Sequence, residues 1–380
     1  MATLIITEKD KAAKAIAEIF GPFKIVRKKN TSRVYHIPSR NIYVLPLRGH
    51  LLEYKNTEKY KSWSKTNPRN IITDSDAIEK FPKNYATPYI NTLIEYGKQC
   101  AEVIIATDAD IEGCNIGLID AYPFIKQANQ NIVVSQMWLS SLETNEIRNK
   151  IRNTIPPKWN WAQIGEARAL IDAFIGFSAT REVTNTLRPL LLKLNRQFVS
   201  IGRVQTSLLY LIYLRNEKIN NFIPEIYWTI KADLINQNNI FKANHELNPF
   251  KMDNELKAKT IYNKIKNEKF AKIIDNTKSK FERKPPTPLN TSKALVLLTK
   301  NLRISAKRAL STMESLYLNK IISYPRTDSD VYKSNFNHNA YLRKFSSHSR
   351  YGNYILNLFK EKRFKPTMGK KDAGDHPPIT

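Results

Sequence analysis

Two short, wholly apolar runs in this chain each end on carboxylates. Leu4-Ile5-Ile6 leads to Glu8, and Val103-Ile104-Ile105-Ala106 leads to Asp108, Asp110 and Glu112. Apolar runs without alternation suit strands covered on both faces, the usual state of parallel strands. Helical patterns follow both runs. Lys11 to Phe20 gathers Ala12, Ala13, Ile16 and Ile19 on one face, and Ile116 to Ile125 follows a polar turn from Thr107 to Gly113. Ile42 to Leu47 reads as a further strand, and Ala86 to Gln99 as the helix leading into the second run. Strand, turn and helix repeated in this way predict a parallel α/β domain over residues 1–150.

The carboxylates narrow the chemistry. Asp108, Asp110 and Glu112 occupy alternate positions, so an extended turn would point all three the same way. Like charges held together persist most easily around a cation, and oxygen ligands alone favour Mg²⁺ over zinc. If the two strands are parallel neighbours, Glu8 shares their carboxyl-end crevice. From the residues alone, a cation site and a solvated acidic turn stand level.

Beyond this domain, Pro156 to Asn221 reads as mostly helical and Trp228 to Leu234 alternates like a strand. Asn236 to Lys280 is polar and rich in Asn and Lys, with no clear assignment, and Pro285, Pro286 and Pro288 mark a boundary. Ser292 to Leu318 has a helical pattern, Lys360 to Thr380 is loop-like, and no repeat of fixed period occurs.

Composition then selects the partner. The formal net charge is +27, from 61 Lys and Arg against 34 Asp and Glu, which calls for an acidic partner. Nucleic acid comes first, because each neutralised phosphate releases condensed counterions. A ribosome-associated or membrane-surface protein is the plainer alternative. A hydrophobic fraction of 42% excludes wholesale disorder, and aromatic residues at 10% suffice to stack on unpaired bases. The two cysteines, Cys100 and Cys114, form no CxxC pair, which excludes a zinc ribbon and a disulfide framework and fits a reducing cytosol. No apolar run is long enough to span a membrane, and Met1 to Glu8 does not read as a signal peptide. No GxxxxGK[ST] phosphate loop occurs, so no ATP-driven motor is visible.

The stretch LIITEKDKAAKAIA with IIATDADIEG resembles a Toprim domain, a module found in topoisomerases, primases and some nucleases. Five further segments resemble type IA DNA topoisomerases, in the family's order along the whole chain. They are RGHLLEY, SIGRVQTSLLYLIYLRNEKINNFIPEIYW, PPTPLNTSKAL, ISYPRTDS and DHPPIT. Taken alone, Tyr324 would read as a core tyrosine at a strand end. Its spacing to Arg326, Thr327 and Asp328 instead matches the family's active-site motif. A tyrosine hydroxyl, with a pKa of about 10, needs its proton removed or its anion stabilised. Arg326, two residues on, can hold a phosphate through paired hydrogen bonds.

The resemblance implies a role for each matched residue. Tyr324 attacks one DNA strand and stays joined to its 5′-phosphate, while Glu8 donates a proton to the departing 3′-oxygen. Lys9 contacts the scissile phosphate, Arg326 stabilises the transition state, and His376 assists nearby. Asp108, Asp110 and Glu112 hold Mg²⁺, needed mainly for positioning and rejoining the strands. Arg168, Asp172, Arg203 and Gln205 line the single-strand groove or brace the site, although Arg168 and Arg203 fit a structural ion-pair role equally well.

The implied protein relaxes negatively supercoiled DNA without ATP, in the cytoplasm with the nucleoid. Its expected architecture is a Rossmann-like Toprim domain (residues 1–150), half of a helical groove domain (151–225), half of a β-rich arch (226–284) and the tyrosine domain (285–380). The family's ring of four domains is completed by a return path, so a further segment or a second polypeptide is expected to close it. The sequence departs from the family at Ile111, where Arg is usual, at Cys114, where Glu is usual, at Ser207 for Pro and at Ser315 for Gln. Ile111, Cys114 and the short length motivate a rival reading, a non-catalytic binder of single-stranded DNA. A Toprim nuclease or primase has no use for ISYPRTDS.

Overall fold

The computed structural model describes residues 2–380 apart from Ser64, Asn238, Asn335 and Asp375. The two apolar runs are central strands of one six-stranded sheet. Its strands are β1 (Ala2–Thr7), β2 (Lys24–Val26), β3 (Val34–Ile37), β4 (Ile42–Pro46), β7 (Cys100–Ile105) and β8 (Val133–Gln136). A separate two-stranded ribbon pairs β5 (Leu52–Asn56) with β6 (Ile78–Pro82).

The sheet order is β2-β3-β4-β1-β7-β8. Strands β4, β1, β7 and β8 run parallel, as the apolar runs predict. The other edge departs from a wholly parallel sheet, because β2 and β3 are antiparallel additions. The cause is local. A tight turn at Pro38–Arg40, closed by Asn41 in the left-handed region at φ 53°, leaves room only for a hairpin between β3 and β4.

Both faces of the sheet are covered. Leu4, Ile6, Val103 and Ile105 pack with Leu93, Tyr96, Leu118 and Ile125 on one side. Ile5, Val44 and Ile104 pack on the other with Ala13, Ile16 and Ala17 of the helix Asp10–Phe20. Each fully buried Leu, Ile or Val contributes about 1.5–3 kcal/mol relative to exposure. The second cluster continues to Tyr317 and Tyr324, which joins the tyrosine-bearing segment to the sheet.

The helix expected over Ile116 to Ile125 starts earlier and changes pitch. Ile111–Cys114 is α-helical, Asn115–Ala121 is π-helical and Tyr122–Ala128 is α-helical again. Its early start comes from Asp110, whose carboxylate accepts from Gly113 N at 2.6 Å and caps the first turn. Residues 156–221 contain the helices Trp159–Thr186, Arg188–Lys193 and Arg203–Asn220. The long pattern over Ser292 to Leu318 is two helices, Thr291–Leu302 and Ala306–Leu318. Arg303 at φ 53° ends the first, and the Ser305 side chain caps the second.

The chain divides into two compact units, Met1–Arg203 with Lys284–Thr380, and Val204–Arg283. Gly165 of the helix Trp159–Thr186 lies so close to the turn after β7 that a Cβ there would come within 2.9 Å of Asn115 Cβ and 3.0 Å of the Ile111 oxygen. The second unit contains the segment that resisted assignment. It holds the hairpin Lys231–Asn236 with Asn239–Asn244 and the helix Glu255–Ile265, with a small core of Ile230, Phe250 and Ala258. Among the described residues, no helix is long and apolar enough to cross a membrane.

Candidate active site

Adjacent parallel strands bring the two acidic segments together. Leu4 pairs with Val103 and Ile6 with Ile105, and Ala106 N donates to the Ile6 oxygen at 2.7 Å. Glu8 and Asp108 therefore leave the sheet side by side at its carboxyl edge, where open α/β sheets carry their sites. Lys9 lies between them, its Nζ 2.6 Å from Asp108 Oδ2 and 3.9 Å from Glu8 Oε1. Burial, reinforced by Asp108, pushes the Glu8 carboxyl up to about 7. Burial likewise raises Asp108, against the pull of Lys9. Burial works against the charge on Lys9, but Asp108 and Glu8 outweigh it and its ammonium is held above the usual range.

Tyr324 closes this cluster. Its hydroxyl donates to Asp110 Oδ2 at 2.7 Å, and the residue is only 1% exposed. It lies in an irregular segment, not at the end of a strand. Tyr324 N donates to the Ser140 oxygen at 2.8 Å, and Thr291 Oγ1 donates to the Pro325 oxygen at 2.8 Å. The ring meets Tyr317 edge-on with centroids 5.2 Å apart, and His376 at 4.8 Å. Burial, together with Asp108 and Asp110, raises the phenol far above its ordinary value, so it is firmly protonated in this state. Arg326 is close enough to oppose that shift, but its guanidinium is bonded to Glu314. His376 Nδ1 lies 3.1 Å from Ser140 Oγ, and its ring stacks against Trp138 with centroids 6.1 Å apart.

The expected convergence of Asp108, Asp110 and Glu112 is not what the fold produces. Asp110 caps a helix, so Glu112 falls in that helix's first turn and its carboxylate is engaged by other partners. Its carboxylate meets His50 Nε2 at 3.2 Å and Arg168 NH1 at 3.1 Å. The acids that do meet are Glu8, Asp108 and Asp110: Asp108 and Asp110 both raise Glu8, and Asp110 raises Asp108. Among the described residues, no three His, Cys, Asp or Glu stand together in ligating positions. The donors still suit a hard divalent cation, because crowded carboxylate oxygens are what such an ion relieves.

Residues that sequence reasoning did not single out complete the surroundings. Asp120, fully buried in the π-helical turn, accepts from His50 Nδ1 at 2.9 Å and Lys80 Nζ at 3.0 Å. Lys80 also reaches Glu166 at 2.6 Å, and Asn115 donates to Glu166 at 3.0 Å. His50 stood inside the quoted RGHLLEY, which was the one available signal. The irregular helical pitch that turns Asp120 inward leaves no mark in the sequence. Cys114, where the family usually has Glu, is buried and accepts from Gln136 Nε2 at 3.4 Å.

Of the four expected groove residues, Arg168 and Asp172 lie one turn apart on the helix Trp159–Thr186. Arg203 Nε donates to Asp172 Oδ1 at 2.8 Å. Gln205 belongs to the second unit. Asp172 lines a cleft of about 400 Å³ together with Trp63, Phe177, Arg181 and Phe198.

A Toprim-like sheet thus presses an acidic cluster against a buried tyrosine in a Tyr-Pro-Arg-Thr-Asp-Ser setting. Comparison with known proteins agrees. The family model described as Toprim domain matches residues 3–140, and that described as DNA topoisomerase matches residues 156–380. The chain belongs to the type IA DNA topoisomerase family. It is 33% identical over 382 residues to DNA topoisomerase 1 of Archaeoglobus fulgidus, covering 100% of this chain and 54% of that protein. It is 26% identical over 387 residues to human DNA topoisomerase 3-alpha, covering 99% of this chain and 38% of that one. Full-length topoisomerase I from Thermotoga maritima has a similar fold, with a TM-score of 0.64 at 18% identity, over 99% of this chain and 54% of that one. The chain spans about half the length of the relatives it matches.

Proposed function

We propose that this chain carries the cleavage centre of an ATP-independent type IA topoisomerase. It would cut one DNA strand, hold it through a 5′-phosphotyrosine, let another strand pass, and reseal, relaxing negative supercoils. The observation that carries the reading is the Tyr324 hydroxyl 2.7 Å from Asp110, within the cluster that also holds Glu8, Lys9 and Asp108. Tyr324 Oη attacks the phosphorus and the bond to the 3′-oxygen breaks. Asp110 is the carboxylate within reach of the phenol proton. Glu8, raised to about 7, is protonated in a large share of molecules at neutral pH and supplies the proton that the 3′-oxygen takes up. Lys9 and Arg326 offer cationic hydrogen bonds to the phosphate oxygens. Resealing is the reverse displacement by the 3′-hydroxyl. One phosphodiester replaces another throughout, so no nucleotide is consumed.

Asp108 and Asp110, with Glu112 once it turns inward, would hold Mg²⁺, which supplies positive charge for drawing the strand ends together. Arg168, Asp172, Arg203 and Gln205 would line the path of the single strand. The aromatic rings of Trp63, Phe177 and Phe198 would offer stacking surface beside it. His376 would steady Tyr324 near the phosphate. The segment completing the ring would come from a longer form of this chain or from a second polypeptide.

The burial of Tyr324, with Cys114 in place of the usual Glu, favours a second reading in which the chain binds single strands without turnover. Plasmid relaxation with Mg²⁺ tests the metal assignment. Replacing Asp108 and Asp110 together by Ala should reduce relaxation of negatively supercoiled plasmid far more than it reduces oligonucleotide cleavage. Unimpaired relaxation by the double variant would remove the metal role from these residues.

A further inference from the structure

Glu112 is held by two groups of different character, an arginine and a histidine. Arg168 is largely exposed and reaches Glu112 Oε1 at 3.1 Å from the helix that bears the proposed strand path. His50 reaches Glu112 Oε2 at 3.2 Å, and its other nitrogen is fixed by Asp120, which Lys80 fixes in turn. Asp120 is fully buried, so this support is rigid and His50 presents Nε2 outward. A carboxylate clamped between an arginine and an imidazole is poorly placed to serve a cation beside Asp108 and Asp110. A DNA phosphate offers Arg168 and His50 the same pattern of anionic oxygens that Glu112 now supplies.

We propose that His50 and Arg168 act as positioning residues that latch Glu112 away from the cation site until a strand phosphate takes its place. This rests on the functional reading above. The released Glu112 turns toward Asp108 and Asp110, so strand and divalent cation each favour the other's binding by the same factor. The arrangement withholds a complete cation site from a protein without DNA.

Two measurements test it, both in the Tyr324→Phe background so that no covalent step intervenes. Free Mn²⁺ is measured by electron paramagnetic resonance with the protein alone. Arg168→Gln should tighten Mn²⁺ binding about fivefold or more, within the usual range of coupling between sites. His50→Gln should act in the same direction. The gain should vanish when Glu112→Gln is already present, whereas mere removal of a positive charge would act in either background. An Arg168→Gln variant with unchanged or weaker Mn²⁺ affinity, or a gain that persists in the Glu112→Gln background, overturns the latch.

Fluorescence anisotropy of a labelled single-stranded oligonucleotide at constant ionic strength gives the second arm. Mg²⁺ should tighten oligonucleotide binding about tenfold with Glu112 present, and should not with Glu112→Gln. An equal response in both overturns the latch and leaves the functional reading standing. Failure to bind the oligonucleotide at low salt overturns both.

Discussion

A Cβ on Gly113 would sit 1.9 Å from the Asp108 carbonyl oxygen, inside any possible contact distance. The turn that carries the acids therefore depends on a missing side chain, not only on the carboxylates it displays. Gly113→Ala should force the Asp108 backbone to move, lowering stability by about 2–3 kcal/mol and disturbing the Lys9–Asp108 pair. Chemical denaturation read by circular dichroism measures this, and a loss below about 0.5 kcal/mol would show that the turn yields easily. At this scale much of the candidate site was legible. Glu8, Asp108 and Tyr324 could be named because apolar runs and a short motif flank them. The position of Glu112 could not, because its direction depends on where the helix starts, and that is decided by the hydrogen bond from Gly113 N to Asp110. The Asp120–His50 support was hidden for a similar reason. It relies on a change of helical pitch and on two residues far apart in the chain.

Among the elements, the central strands were the most legible and the second unit the least. Strands β1 and β7 are apolar throughout because both faces are covered, and nothing competes with that signal. The helix Arg203–Asn220 gives the opposite case. It contains Leu208, Leu209, Leu211, Ile212 and Leu214, yet none of its residues is buried. Apolar residues all around a helix ordinarily mean a helix buried on all sides. Here no described residue of its own unit supplies the surface that would cover it. Replacing Leu209 and Leu211 by Ser should change the stability of the 380-residue chain by less than about 1 kcal/mol in total. Leu45→Ala, at a fully buried position in β4, should cost about 2–5 kcal/mol. Thermal unfolding of both variants measures the contrast. Equal losses would show that the helix is packed in solution.

For the whole molecule, charge and sealing of the site act together. A net charge of +27 favours any nucleic acid, and the proposed groove favours an unpaired strand. If six phosphates of a single strand are neutralised, affinity should fall roughly 300-fold between about 50 and 200 mM salt, from a slope of about 0.7 per phosphate. Anisotropy titrations across that range check this, and a flat response would assign the charge to another partner. Binding alone does not distinguish a working enzyme from a binder, because Tyr324 is sealed against Asp110 and, on the proposed reading, must come free before it can reach a phosphate. The most direct measurement is to incubate the chain with 3′-labelled single-stranded DNA, denature, and separate the products by electrophoresis. The wild-type chain should give a labelled covalent adduct, retaining the 5′-phosphate side of the cut, and Tyr324→Phe, which removes one oxygen and keeps the ring, should give none. An adduct that persists in the Phe variant, or no adduct from the wild-type chain even when the remaining part of the ring is supplied, would contradict the proposed reading.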